Sequence, residues 1–234
     1  IGSKVTTRAA WFCPGIAWIL GADTDGRGFN SDQFVGQMSE IRLWKHALTP
    51  AEIACRHSER LPSALYNSAA IANYYPLSKA GCTSRIVRDF GPRHQNGLFG
   101  GQSRFIRSST FTNNVYTLAE IQTCEQGAVH HDGVQAIQFS HRSDYVDFGK
   151  LNPGDHFTVE MRVQFNGINL FNTLIEAVDM RDYRNDFYIG YDQGRWQVEI
   201  MDNSRWEQDS CGHPSTLCVP ATLALHQTYD IAVR

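Results

Sequence analysis

Two carboxylates one residue apart, Asp23 and Asp25, open the run Asp23-Thr24-Asp25-Gly26, which continues through Asn30, Asp32 and Gln33. Such a run offers oxygen to a hard cation. Calcium takes about six to eight oxygen ligands, and side chains spaced by one residue can turn to the same ion. The same residues equally suit a solvated Asp-Gly turn, and both readings stand at this point.

Other chemistries are less well served. A retaining glycosidase needs two carboxyl groups about 5 Å apart, which one strand supplies from positions facing the same way. Glu176 and Asp179 are three residues apart and fall on opposite faces of a strand, as do Glu199 and Asp202. No Gly-x-Ser-x-Gly elbow for a nucleophilic serine occurs. His130 and His131 precede Asp132 and Gly133, a composition that suits a surface turn better than a metal or a general base. Trp196 and Trp206 could form a platform for sugar stacking or fill a core; Trp44 reads as core. The expectation is a protein without catalytic residues.

Six cysteines, Cys13, Cys55, Cys82, Cys124, Cys211 and Cys218, are an even number. The sequence cannot choose among their pairings. Cys211 and Cys218 bracket a turn-rich loop that a local disulfide could close. A zinc site there is the rival reading, with His213 between them, but no CxxC or HxxxH spacing accompanies it. Disulfides would imply an oxidising compartment, hence an extracellular or cell-surface protein.

The elements that must position these residues are short and alternating. In Phe157-Thr158-Val159-Glu160-Met161-Arg162-Val163-Gln164-Phe165 the apolar residues share one face, the period-two pattern of a half-buried strand. Phe187 to Tyr191 and Trp196-Gln197-Val198-Glu199-Ile200 repeat it. Asn166-Gly167 and Asp192-Gln193-Gly194 punctuate the runs, which argues for an antiparallel all-β sandwich. One helix is signalled: Thr49 caps, Pro50 suits the first helical position and Glu52 completes a capping box. It is expected over residues 50 to about 58. Residues 60–75 read as a connector and 91–114 as long surface loops.

Three motifs near the start resemble the closing third of a laminin-G or pentraxin-like domain. They are Ile19-Leu20-Gly21-Ala22-Asp23-Thr24-Asp25, then Phe34-Val35-Gly36-Gln37-Met38-Ser39-Glu40-Ile41-Arg42-Leu43-Trp44, then Ala47-Leu48-Thr49-Pro50-Ala51-Glu52-Ile53. Tyr75-Pro76-Leu77 with Asp89 and Gly91, then Ala136-Ile137-Gln138-Phe139, Asp144-Tyr145-Val146 and Phe157-Thr158-Val159-Glu160, resemble the opening two thirds. Ser140-His141 stands where that family has Asp-Gly. Neither the Phe157 strand nor the last strand holds a cysteine, so the likeness is to the broader laminin-G-like superfamily more than to pentraxins proper.

The resemblance implies a concanavalin A-like jelly roll whose end precedes its beginning. Residues 1–62 would be the C-terminal part of one jelly roll, 63–75 a connector, and 76–234 the N-terminal part of a second, or of the same domain permuted. The alternating run that reaches Arg234 reads as an excerpt from a tandem array, the favoured alternative. The resemblance also implies that the Asp23 loop holds calcium, with Asn185 and Asp186 as further ligands and Asp179 and Asp182 as nearby alternatives. In a tandem excerpt those residues belong to two sites; in a closed domain they would converge on one.

A formal net charge of -3 gives no footprint for nucleic acid, and no apolar run reaches the roughly 18 residues of a membrane span. The function expected is extracellular adhesion or glycan binding. The alternative is a structural subunit of a filament or appendage, completed by further domains of the same chain or by neighbouring subunits. A concanavalin A-like glycan-active enzyme comes third.

Overall fold

The computed structural model describes residues 16–23, 32–56, 61, 65–66, 68–76, 85–107, 135–179, 184–200 and 216–234. Their strands form two antiparallel sheets packed as a sandwich, with one short helix. In chain order the elements are β1 (Ile16–Leu20), β2 (Val35–Trp44), α1 (Pro50–Arg56), β3 (Ile71–Tyr75), β4 (Ile86–Val87), β5 (Gly97–Gly100), β6 (Arg104–Arg107) and β7 (Gln135–Phe139). They continue with β8 (Tyr145–Asp147), β9 (Thr158–Gly167), β10 (Phe171–Asp179), β11 (Arg184–Asp192), β12 (Arg195–Ile200), β13 (Thr216–Pro220) and β14 (Thr228–Val233).

One sheet runs β13-β12-β11-β10-β1-β8-β5-β4, the other β14-β9-β2-β7-β6 with β3 also on β2. The strands of residues 16–44 therefore pair directly with those of the later chain. β1 lies between β10 and β8, and β2 lies between β9 and the pair β7 and β3.

The inner faces follow from alternation. Ile16, Trp18 and Leu20 of β1 meet Val159, Met161, Val163 and Phe165 of β9 in one apolar core. Aromatic rings tie the layers together: Trp18 packs on Phe157 and Phe187, and Phe34 packs edge-on against Phe139 and Phe165. The capping box forms as expected, with the Thr49 amide donating to Glu52 at 2.8 Å and the Glu52 amide to Thr49 Oγ1 at 3.2 Å.

β2 is buried on both sides, and a bulge explains how. Its register against β9 shifts between Ser39 and Arg42, where Glu40 takes a left-handed backbone at φ 55°. The shift keeps Met38, Ile41 and Leu43 in the main core. Trp44 turns instead to a second cluster with Leu48, Leu61, Tyr66, Ile71 and Tyr74. Charges on β2 and β9 are paired: Arg42 bonds Glu40 at 2.9 Å and lies 3.6 Å from Glu160, Trp44 Nε1 donates to Glu160 at 2.7 Å, and the Tyr74 hydroxyl donates to Glu40 at 2.8 Å.

Two stretches differ from expectation. Residues 71–75, inside the expected connector, form β3; Ile71, Tyr74 and Tyr75 are buried, and the polar Asn73 donates through Nδ2 to Asp89 at 2.7 Å. Residues 97–100 and 104–107, inside the expected loops, form β5 and β6. Glycine and arginine dominate their composition, yet β5 adds to β8 and β6 to β7 through backbone pairing, which composition does not report.

Candidate ligand-binding face

The eight-stranded sheet has an unusual outer face. Its inward residues are the apolar ones, so alternation directs Glu176 of β10, Tyr188 and Asp192 of β11, and Gln197 and Glu199 of β12 away from the core. All five are buried. Cross-strand register lines up Ile19, Glu176, Tyr188, Glu199 and Thr216 in a single row over five strands.

Tyr188 is central to this face. Its ring lies along the strand over Gly190, where an added Cβ would overlap the hydroxyl. Burial pushes that hydroxyl well above its usual range; the neighbouring Thr173 side chain opposes this, and the charges of Asp23, Asp32 and Glu199 add to the rise. The carboxylates of Asp23 and Asp32 are thus near enough to act on Tyr188. Gln197 Nε2 donates to Glu199. Asp192 sits across the hairpin from Arg195; burial raises its carboxyl above the ordinary range while Arg195 opposes the shift.

Backbone contacts explain why the Asp23 and Asp32 segments meet here. After β1 the Gly21 amide donates to the Leu174 carbonyl at 2.9 Å, and the Thr173 amide donates to the Asp32 carbonyl at 2.8 Å. Gln33 bridges in parallel to Thr173 and donates through Nε2 to the carbonyls of Gly21 and, at 2.6 Å, Asp144. The Gln33 side chain is buried, and its Oε1 has no hydrogen-bond partner.

The expected calcium ligands distribute as follows. Asp23 is buried and Asp32 half-buried at this end of the sheet; Asp25 lies outside the described residues. Asn185 pairs with Val178, and Asp186 follows it at the start of β11. Val178 is five positions along β10 from Thr173, about 16 Å of strand. Closing both stretches into one sandwich therefore brings Asp23 and Asp32 together but enters Asn185 and Asp186 at the other end of the strand. Among the described residues no group of three or more His, Cys, Asp or Glu side chains could hold a metal ion. Asp23, Asp32 and Gln33 Oε1 have the oxygen chemistry calcium prefers, and are too few alone to meet its coordination number.

The row Glu176, Tyr188 and Glu199 was missed in the sequence. Alternation exposes each residue's face, but only the register of three strands aligns them. His130, His131, Asp132, Asp182, Asp202, Trp206 and His213 lie outside the described residues. Trp196 is half-buried against the core and stacks edge-on with Tyr191 and Tyr229. Cys55 is a free, exposed thiol, which leaves five of the six cysteines, an odd number that cannot all pair within the chain. No helix among the described residues is long and apolar enough to cross a membrane. No family model matches the chain, and neither a curated protein nor a solved structure matches it.

Proposed function

We propose that the chain is a non-enzymatic extracellular module of laminin-G/pentraxin-like type that binds a glycan or protein ligand, with calcium held at the Asp23–Asp32 end of the eight-stranded sheet. The observation that carries this reading is the polar outer face: carboxylates and a tyrosine hydroxyl fixed in one row, with an amide beside it and two further carboxylates at its rim. Sugar hydroxyls are recognised by such fixed acceptors and donors. Contact occurs at the rim around the half-buried Asp32, and the buried row holds that rim in position. A disulfide at Cys218 would imply an oxidising compartment. Calcium would draw on Asp23, Asp32 and Gln33 with Asp25.

Glu176 and Glu199 share a face but are two strands apart, about 10 Å between backbones, with Tyr188 between them. That separation does not suit a retaining glycosidase.

The test is a glycan array and a thermal melt, each with calcium and with EDTA. Calcium at about a hundredfold excess over its dissociation constant raises the melting temperature by about 5 to 10 °C. Asp23→Asn with Asp32→Asn abolishes that rise, and EDTA elutes the bound ligand. No calcium shift in the parent protein would remove the calcium reading; turnover of any polysaccharide would remove the non-enzymatic one.

A second reading, a structural subunit of an extracellular filament, is favoured by one further observation: the core-facing side chains of β12 are left half-exposed. Filaments that persist in chelator would support it.

A further inference from the structure

Four large apolar side chains are exposed among the described residues: Leu98 (56%), Ile168 (43%), Leu170 (66%) and Leu225 (47%). Leu98 lies on β5. The other three share the Asp32 end of the sandwich, on residues 168–170 between β9 and β10 and residues 221–227 between β13 and β14. Contacts between the loops hold them side by side. The His226 amide donates to the Phe165 carbonyl at 2.8 Å, and its ring Nδ1 lies 3.3 Å from Asn166 Oδ1. The Gln193 amide donates to the Leu170 carbonyl at 3.3 Å.

Polar groups of these loops turn inward. Asn169 Nδ2 donates to the Gln33 carbonyl at 2.8 Å and the Asn169 amide to Asn172 Oδ1 at 3.0 Å, while Asn172 Nδ2 donates back to the Asn169 carbonyl at 2.9 Å. In the second loop the Ala221 amide donates to the Gly194 carbonyl and the Ala224 amide to the Tyr229 hydroxyl. Loops whose polar groups are paired from within can enter a poorly hydrated layer at little cost. Charge is sorted in the same sense. Gln33 Nε2, 2.6 Å from the Asp144 carbonyl, ties a third loop, residues 140–144, to this end. Its Arg142 is exposed and its one carboxylate, Asp144, is fully buried. Residues 166–170 and 221–227 contain no carboxylate.

We propose that this end docks on a lipid bilayer carrying anionic headgroups. Ile168, Leu170 and Leu225 enter the boundary between headgroups and acyl chains, and Arg142 faces the headgroups. Three observations favour a bilayer over a protein partner. The exposed side chains are aliphatic, whereas the centres of protein interfaces draw on aromatic rings and arginine. They stand on separate loops with the exposed Asn169 between Ile168 and Leu170, an uneven surface that a fluid layer can fill. The exposed fixed charge beside them is basic, complementary to anionic lipid. The inference goes beyond the function proposed above and does not draw on calcium.

The test is sedimentation of the intact chain, in EDTA, with vesicles of phosphatidylcholine alone and of phosphatidylcholine mixed with phosphatidylserine. The chain is expected to sediment with the mixed vesicles and more weakly with phosphatidylcholine alone. Leu170→Asn with Leu225→Asn should weaken binding at least about tenfold. Arg142→Gln should weaken it about fivefold on the mixed vesicles only. Leu98→Asn, equally exposed but on β5, should bind as the parent does. All four positions are exposed, so every variant should keep the parent's melting temperature. Absence of binding to the mixed vesicles overturns the proposal. So does an equal loss on Leu98→Asn, which marks a generally adhesive surface. A parent that self-associates without binding vesicles, while the double variant stays monomeric, makes this end a contact between copies and overturns it too. Glycan binding without vesicle binding removes this inference alone; vesicle binding without any glycan or protein ligand removes the function proposed above and leaves this one standing.

Discussion

Asp89 gathers an unusual share of one end of the fold. Its buried carboxylate accepts from Asn73 Nδ2 at 2.7 Å and from the amides of Tyr74, Gly91 and Gln95 at 2.9, 2.8 and 2.9 Å. Asp144 does the same elsewhere, accepting from the amides of Gln102, Ser140 and His141. Removing Asp89 leaves buried donors unsatisfied, and removing Asp144 leaves part-buried ones. Asp89→Ala and Asp144→Ala should each cost about 3 kcal/mol, a fall of about 6 to 12 °C in melting temperature by calorimetry. Asp192 works in the opposite direction. Burial raises its carboxyl, so the folded protein holds the proton more tightly than the unfolded chain, and stability falls as pH rises through the carboxylate range. Asp192→Asn should melt higher than the parent at pH 7, with the gap closing as pH is lowered toward 3. Asp89 stood out in the sequence through its motif; the four bonds it accepts did not, because three of its partners are backbone amides whose direction only the folded turn decides.

At the scale of elements, the period-two runs translate directly into β9, β11 and β12, and the Thr49–Glu52 box into α1. The signal there is local, so the sequence carries it. β3, β5 and β6 depend on partners far along the chain and have little alternation of their own. The polar row is a register effect of the same kind. Glu176, Tyr188 and Glu199 belong to three strands, and nothing within one strand says which residue of the next will stand beside it. Gly190 shows how closely that register is fitted, since it alone leaves room for the Tyr188 ring. Gly190→Ala should displace the ring and cost about 1 to 3 kcal/mol, measured by denaturant unfolding. Tyr188→Phe in the same background should recover part of that loss, because the hydroxyl is the atom a Cβ would meet.

The whole molecule holds deeply buried phenols in both of its layers. Burial raises the Tyr75 and Tyr188 hydroxyls well above the ordinary tyrosine range. Their neutral forms contribute stability that is complete below pH 10 and is lost as pH rises further, because the unfolded chain ionises first. Absorbance of tyrosinate should therefore lag behind that of exposed tyrosines and then rise together with unfolding; Tyr188→Phe should widen the stable range at the alkaline end. The overall topology was the least legible feature. Motifs in inverted order suit a permuted domain and a tandem excerpt alike, and only pairing distinguishes them. That pairing has a kinetic side. Trp18 stands beside Ala177 and Leu43 beside Val159, so β1 and β2 acquire these neighbours only after a long stretch of chain has followed them. Contacts of such long sequence separation slow folding. Until β9 and β10 arrive, the apolar faces of β1 and β2 need shelter from one another's copies, and the protein's yield will depend on what provides it.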